Sequence, residues 1–129
     1  MILQTALLCL SLNVYFEARG ESLQGQLAVA HVTINRSKQN DTSICHEVFK
    51  RKQFSWTKNH YKIPNSGDEW ESAQKVARLS LASKDTTNGS IFFFNPKKCK
   101  NPVFIKIGRR KTRTIGNHVF YANISNEKP

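Results

Sequence analysis

The sequence predicts an α+β fold, in which helices come first and a small antiparallel sheet follows toward the C-terminus. Apolar residues recur at helical spacing up to Lys84, an Asn-Gly turn stands at Asn88 and Gly89, and short β-prone runs follow. This order of elements is typical of α+β domains. A chain of 129 residues with 39% hydrophobic content fits one modest core. We expect one domain over residues 1–125 and a loose tail at 126–129.

The first predicted helix carries an apolar stripe that ends on a carboxylate. The apolar members of this stripe are Leu3, Leu7, Leu10 and Val14. The next helical step reaches Glu17, so this glutamate continues the face that turns toward the core. Gly20 is expected to end the helix one turn later.

Two further long helices and one short helix are predicted. Ser22 is the expected N-cap of a helix over residues 23–36. The core face of that helix carries Leu27, Ala30 and Ile34. A short helix is expected near 43–50, and a long one over 68–83 has an acidic first turn that suits the helix dipole. The apolar stripe of this last helix consists of Trp70, Ala73, Ala77 and Leu81.

The C-terminal part of the chain predicts strands. Residues Ile91–Phe94 and Val103–Ile107 are short β-prone runs, and Thr114–Tyr121 is expected to close the sheet. The polar and basic segment Gly108–Thr112 is interpreted as a turn between the last two runs.

Positive charge is concentrated in the same region. The chain has 20 Lys and Arg against 9 Asp and Glu, a net charge of +11, and no acidic residue between Asp85 and Glu127. A basic patch over 97–113 would attract polyanions such as an anionic cell envelope. A basic nucleic-acid-binding module is an alternative, because phenylalanines next to lysines suit stacking on bases. That alternative leaves Glu17 unexplained, and we expect no specific nucleic acid partner.

The cysteines and the N-terminus suggest where the chain is made. Three cysteines cannot all pair within one chain, so Cys9, Cys45 and Cys99 are expected to be mostly reduced thiols, with a Cys45–Cys99 bridge left open. The apolar N-terminal residues have neither a basic n-region nor a small-residue cleavage site. We therefore expect synthesis in a cytosol without a signal peptide.

The histidines and cysteines predict neither a metal site nor a cofactor. The four histidines lack the paired spacing of zinc ligands, and the cysteines form no Cys-x2-Cys pair. The histidines are His31, His46, His60 and His118.

Glu17 is the residue with the clearest chemical signal. A carboxylate on a core-facing stripe loses hydration, which should raise its pKa and keep it protonated near neutral pH. Such a group can act as a general acid toward a glycosidic oxygen. The structural alternative is a boundary glutamate paired with Arg19 or with another arginine. Glu21 is a weaker candidate for a second carboxylate, or a residue favoured by the dipole of the second helix.

Four segments of the sequence are similar to one family. The segment NVYFEARGESLQGQLAVAHVTINR at 13–36 closely resembles the opening signature of SleB-type, spore-cortex-lytic cell-wall hydrolases. QFSW at 53–56, GSIFFFNP at 89–96 and IGNHVFY at 115–121 resemble its later motifs in the same order. Related catalytic domains occur in phage endolysins. The resemblance implies a lysozyme-like fold, cleavage of the peptidoglycan glycan strand, and Glu17 as the catalytic acid.

The family resemblance also suggests a mechanism and a set of site residues. One well-placed glutamate favours a lytic transglycosylase, which needs one carboxylate, over a hydrolytic muramidase, which Glu21 keeps open. An N-acetylmuramoyl-L-alanine amidase is disfavoured by the missing zinc pattern. The expected substrate-binding residues around Glu17 are Tyr15, Gln53, Ser55, Trp56, Asn95, His118 and Tyr121. We expect a monomer that serves as a phage or prophage endolysin, released to the wall by a holin.

Overall fold

The part of the chain that the structure describes consists of helices followed by an antiparallel sheet. The computed structural model describes residues 5–50, 55–58, 62–98 and 109–123. The helices are α1 Ala6–Ala18, α2 Leu23–Asn40, α3 Ile44–Phe49, a short 3-10 helix Ser55–Lys58 and α4 Asp68–Ala82. The strands are β1 Phe92–Phe94, β2 Arg109–Ile115 and β3 His118–Asn123, in the spatial order β1-β3-β2. The predicted α+β order is confirmed.

The helix boundaries follow capping residues that the sequence shows. Ser22 caps α2 as predicted, because its Oγ accepts a hydrogen bond from the Gly25 N–H at 3.1 Å. Gly20 has φ +87°, a left-handed conformation that allows the sharp turn after α1. Helix α2 continues one turn beyond the predicted end at residue 36 and stops at Asp41, which also has positive φ.

Helix α2 lies at the centre of the core, with apolar contacts on two sides. On one side it packs with α1 and α4 in a cluster that includes Leu10, Ala30 and Ala77. On the other side Val29 and Val32 pack against the sheet through Ile115 and Phe120. The same cluster contains Ala18, so the end of α1 is fixed against both α2 and the sheet. In the parts of the chain described, no helix is both long enough and apolar enough to cross a bilayer.

Three expectations about the α4 stripe and the strands are wrong. Leu81 is 47% exposed, and Ser80 takes its place on the buried face of α4. The segment expected to be a turn, Gly108–Thr112, lies mostly within strand β2, and the run Thr114–Tyr121 is divided by a turn at Gly116 and Asn117. The charged residues are compatible with a strand because β2 is the outer strand of the three that the structure describes, and several of their side chains reach solvent. The run Val103–Ile107 lies outside the described residues.

The cysteines also differ from expectation. Cys9 on α1 and Cys45 on α3 form a disulfide, with Cα atoms 5.2 Å apart. The pair forms because α1 and α3 pack side by side and bring two distant residues into bonding range, which spacing along the chain does not reveal. Cys45 is thus neither a reduced thiol nor the partner of Cys99, which lies outside the described residues.

Candidate active site

Glu17 is half-buried in the last turn of α1. Burial raises the pKa of its carboxyl to about 7, against the opposing effects of the nearby Trp56 indole N–H and of the positive charges of Arg36 and Lys98. The partial negative charge at the helix C-terminus disfavours the carboxylate further. The predicted rise in the pKa of Glu17 is confirmed. The Arg19 guanidinium donates to the Tyr15 hydroxyl at 2.7 Å, and the arginine whose charge acts on Glu17 is Arg36.

Trp56 is held in place by two aromatic rings. Its indole stacks on Phe16 at 4.8 Å between ring centroids and meets Phe49 edge to face at 5.9 Å. Phe16 is the neighbour of Glu17 on α1, and Phe49 is on α3. The 3-10 helix therefore presents its tryptophan to the candidate acid from a fixed position. Among the predicted substrate-binding residues that the structure describes, Trp56 acts directly on Glu17 through its side chain.

Arg36 is a buried cation beside Glu17 that the sequence analysis did not single out. Its side chain is 5% exposed, its Nε donates to the Ile91 carbonyl, and its guanidinium lies 5.2 Å from the centre of the Phe92 ring. Burial lowers the pKa of Arg36 to about 10, although attraction to Glu47 and Glu17 opposes this change. Arg36 therefore stays charged at neutral pH. Arg36 is the last residue of the opening motif and lies four residues after the buried Val32, on the same face of α2. This spacing could have identified Arg36 as a buried cation.

Glu47 is a second buried carboxylate near Arg36. Its side chain has no exposed surface, and its Oε2 accepts hydrogen bonds from Thr42 Oγ1 at 2.6 Å and Asn40 Nδ2 at 3.1 Å. Although burial acts to raise the pKa of Glu47, these hydrogen bonds and the charges of Lys50 and Arg36 leave it lowered. Glu47 is therefore the ionised countercharge of Arg36.

Asn95 organises the turn that carries Lys98. The Asn95 Oδ1 accepts from the Lys97 N–H at 2.9 Å, and its carbonyl accepts from the Lys98 N–H at 3.0 Å. The charge of Lys98 acts to lower the pKa of both Glu17 and His118. This turn thus places a cation within range of both predicted site residues.

His118 is buried at the start of β3. It is 6% exposed, and its ring meets Phe93 edge to face at 5.1 Å. Burial lowers the pKa of His118, while the negative charge of Glu21 opposes this and the charge of Lys98 adds to it. The imidazole is therefore mainly neutral at pH 7. Its Nδ1 has no hydrogen-bond partner among the described residues.

The remaining predicted residues do not gather around Glu17 in the same way. The Tyr15 ring turns toward α4 and meets Trp70 edge to face at 5.7 Å. Tyr121 lies on the opposite face of β3 from His118 and stacks on Phe94 at 5.9 Å. Ser55 belongs to the 3-10 helix, and Gln53 lies outside the described residues. Within the parts of the chain described, no three His, Cys, Asp or Glu side chains converge to hold a metal ion.

These observations define a lysozyme-like domain with one half-buried, high-pKa glutamate at the end of its first helix. Residues 20–121 match the family model described as Cell Wall Hydrolase, and the chain belongs to this family. The matched residues include Glu21 and His118 but begin just after Glu17.

Similar proteins support the same family and fold. The chain is 31% identical over 111 residues to the spore cortex-lytic enzyme of Bacillus subtilis and 30% identical to that of Bacillus cereus. The matched region is 83% of this chain but only 34% and 40% of those relatives, so the chain corresponds to a part of them.

Two solved structures are similar to the whole described fold. The catalytic domain of the germination-specific lytic transglycosylase SleB from Bacillus anthracis aligns with a TM-score of 0.76 and 27% identity, covering 93% of this chain and 96% of that one. The catalytic domain of the Bacillus cereus SleB protein aligns with a TM-score of 0.73 and 27% identity, covering 90% and 88%.

Proposed function

We propose that this protein is a lytic transglycosylase that cleaves the glycan strand of peptidoglycan, with Glu17 as both acid and base. The observation that carries the proposal is the pKa of about 7 at a half-buried helix end. At that value a substantial fraction of Glu17 is protonated at neutral pH, and a substantial fraction is ionised, as a group with both roles requires. The neighbouring structure described as a lytic transglycosylase and the family membership support this choice.

In this reaction Glu17 first donates a proton to the glycosidic oxygen and later accepts one from the 6-hydroxyl of the muramic acid. The protonated carboxyl gives its proton to the glycosidic oxygen as the bond from that oxygen to C1 of the muramic acid breaks. The resulting carboxylate then takes the proton of the 6-hydroxyl of the same sugar, whose oxygen bonds to C1 and closes a 1,6-anhydro ring. No water is consumed, and Glu17 ends protonated, ready for another strand.

The other two carboxylates near the site are poor candidates for a second catalytic carboxylate. Both oxygens of Glu21 lie against Asn117, at 3.1 and 3.4 Å from its nitrogens. Glu47 has no exposed surface and is held by Thr42 and Asn40. A hydrolytic muramidase normally uses two carboxylates at a defined separation. The occupied positions of these glutamates therefore favour transglycosylation.

The basic patch gives the enzyme a way to reach its substrate. The residues Lys97, Lys98, Arg110, Lys111 and Arg113 are exposed. Because a positive surface concentrates anionic polymers, the protein gathers at an anionic envelope, with weaker binding at high salt. We propose that it acts there as a monomeric phage or prophage endolysin, after release from the host cytoplasm. Co-expression with a holin should lyse the host, whereas a processed, secreted form in intact cells would contradict this role.

The activity is tested by digesting purified peptidoglycan and identifying the products by mass spectrometry. The wild type should release fragments with 1,6-anhydro-muramic ends, and Glu17→Gln should release almost none. Glu69→Gln is the matched control, because it makes the same change at an exposed position in the first turn of α4.

Each other result contradicts part of the proposal. Reducing muramic ends would show that water is the acceptor. Intact glycan with freed peptides would indicate an amidase. Equal activity of Glu17→Gln and the wild type would remove Glu17 from the chemistry.

A further inference from the structure

Glu21 connects two turns that are far apart in sequence. It lies in the turn between α1 and α2, and its carboxylate reaches the turn between β2 and β3. The Asn117 side-chain amide donates to Glu21 Oε2 at 3.1 Å, and the Asn117 backbone N–H approaches Oε1 at 3.4 Å. A carboxylate that accepts from both groups fixes the hairpin turn through its backbone as well as its side chain.

Glycine makes this close approach possible. A Cβ on Gly116 would lie 2.7 Å from Glu21 Oε1, and Gly116 also has φ +56°. A larger residue would therefore force the carboxylate away and strain the turn. The backbone of Glu21 is fixed as well, because its N–H donates to the Ala18 carbonyl at 3.0 Å and its carbonyl accepts from Gln26 Nε2 at 3.0 Å.

The hairpin turn that Glu21 holds leads directly into a predicted site residue. His118 follows Asn117, and the pair Ile115 and His118 closes the turn. Ile115 packs in the same cluster as Ala18, the neighbour of Glu17. Any shift of this turn would therefore move His118 relative to the end of α1.

We propose that Glu21 is a positioning residue, whose carboxylate latches the β2–β3 turn onto the α1–α2 turn and so holds His118 in place relative to Glu17. This role rests on the function proposed above, since it assigns Glu21 a task in the same site. It also removes Glu21 from the chemistry: the carboxylate accepts hydrogen bonds from the protein and neither attacks the sugar nor activates water.

Two substitutions at Glu21 separate a latch from a second catalytic carboxylate. Glu21→Gln keeps an acceptor oxygen that the Asn117 amide can still bond, so activity should stay within about tenfold of the wild type. Glu21→Ala removes the latch, and a misplaced site residue should lower kcat by roughly 10- to 100-fold. A catalytic carboxylate would instead lose activity in both variants, as Glu17→Gln does.

Asn117 provides the second half of the test. If the latch is right, Asn117→Ala reproduces part of the loss, and the double variant Glu21→Ala/Asn117→Ala is no worse than Glu21→Ala alone, because both remove one interaction. Independent, multiplying losses would overturn the latch. Thr114→Ala is the matched control, since it changes an exposed residue of the same hairpin and should leave activity unchanged.

A spectroscopic measurement distinguishes positioning from a general loss of structure. In Asn117→Ala the charge of Glu21 is retained, so a change in the His118 imidazole resonance in NMR spectra reports displacement of the ring. We expect that change together with intact resonances for the α1–α4 core. An unchanged His118 resonance in both Asn117→Ala and Glu21→Ala would overturn the latch.

The two proposals fail in different ways. Product analysis of the wild type tests transglycosylation and does not depend on Glu21. Anhydro products with an inactive Glu21→Gln would overturn the latch alone. Reducing products with an active Glu21→Gln would overturn transglycosylation and support the latch.

Discussion

Glu17, which is half-buried, and Glu47, which is fully buried, are both influenced by the charge of Arg36, yet their pKa values move in opposite directions. Glu47 is the more deeply buried, but its pKa is lowered because Thr42 and Asn40 donate to it. Glu17 keeps some exposure, but its pKa rises to about 7 because fewer donors compensate the lost hydration.

The difference shows that burial alone does not raise the pKa of a carboxyl group enough to keep it protonated at neutral pH. A buried carboxylate with enough donors is a stable anion, whereas one with few donors holds its proton. In this fold the ionised Glu47 also offsets the charge of Arg36, which would otherwise favour ionisation of Glu17. Glu47 on α3 thus influences the electrostatic potential at Glu17, at the end of α1.

The largest expected effect comes from removing the acid itself. Glu17→Gln should reduce glycan cleavage by about 10²- to 10⁴-fold, the usual contribution of a general acid. A wild-type pH profile should fall above about pH 7, because the active acid is the protonated form. Release of anhydro-muropeptides between pH 5 and 9 measures both effects; a flat profile through this range would contradict the assignment.

The same variant should be more stable than the wild type at alkaline pH. Because the folded pKa of Glu17 is raised from 4.5 to about 7, its ionisation disfavours the folded state progressively between these values. The penalty is absent below pH 4.5 and complete above pH 7, at up to about 3 kcal/mol. Urea unfolding at pH 4.5 and pH 8 should therefore show a gain for Glu17→Gln only at pH 8; a loss at pH 8 would argue against the raised pKa.

Removing the other carboxylate should have the opposite effect on stability. Glu47→Ala leaves Arg36 buried without its countercharge, which should lower the free energy of unfolding by roughly 3–5 kcal/mol at pH 7. Since the folded pKa of Glu47 is lowered, its stabilisation is present at neutral pH and disappears as the pH falls below 4.5. Urea unfolding at pH 7 and pH 3, with Glu69→Gln as control, measures this. Equal losses at both pH values would indicate lost packing rather than lost charge.

Removing one hydrogen bond to Glu47 should also lower the free energy of unfolding, but by less than removing the carboxylate. Thr42→Val keeps the side-chain shape but removes the donor at 2.6 Å from Oε2. We expect a loss of about 2 kcal/mol at pH 7, the usual contribution of a hydrogen bond to a charged group. The loss should shrink at acidic pH, where Glu47 is protonated. A pH-independent loss would show that the hydroxyl contributes through other contacts.

The smallest predicted effect is a further rise in the pKa of Glu17 when the Trp56 indole is replaced. Trp56→Phe can keep the stacking on Phe16 but removes the indole N–H, which acts to lower the pKa of Glu17. The alkaline limb of the activity profile should therefore move to higher pH by less than about one unit. Movement to lower pH would mean that the indole acts on Glu17 mainly by excluding water.

The sequence predicted the parts of this fold that depend on local spacing. The stripe from Leu10 and Val14 to Glu17, the Ser22 cap and the α4 boundaries are all local patterns, and the structure agrees with them. The prediction of a turn within 108–112 was wrong because charged residues are depleted from strands on average. They are acceptable in β2 because it is the outer strand of the three that the structure describes.

The parts that could not be predicted depend on contacts between distant elements. The Cys9–Cys45 bridge requires knowing that α1 and α3 are neighbours. Glu47 lies in a short helix with no special pattern, and its role depends on Arg36 from another helix. The separation of His118 and Tyr121 onto opposite faces of β3 follows only once the strand and its orientation are known.

The Glu21–Asn117 contact joins residues 96 positions apart, and this distance has a consequence for synthesis. A chain grows from its N-terminus, so α1, α2 and α4 leave the ribosome before the hairpin does. Glu17 and most of its helical surroundings therefore exist before the turn that leads into His118 has been translated. If the proposed function is right, cleavage of the glycan strand would begin only after the last strand is made, so translation of the hairpin is the final step in assembling the site.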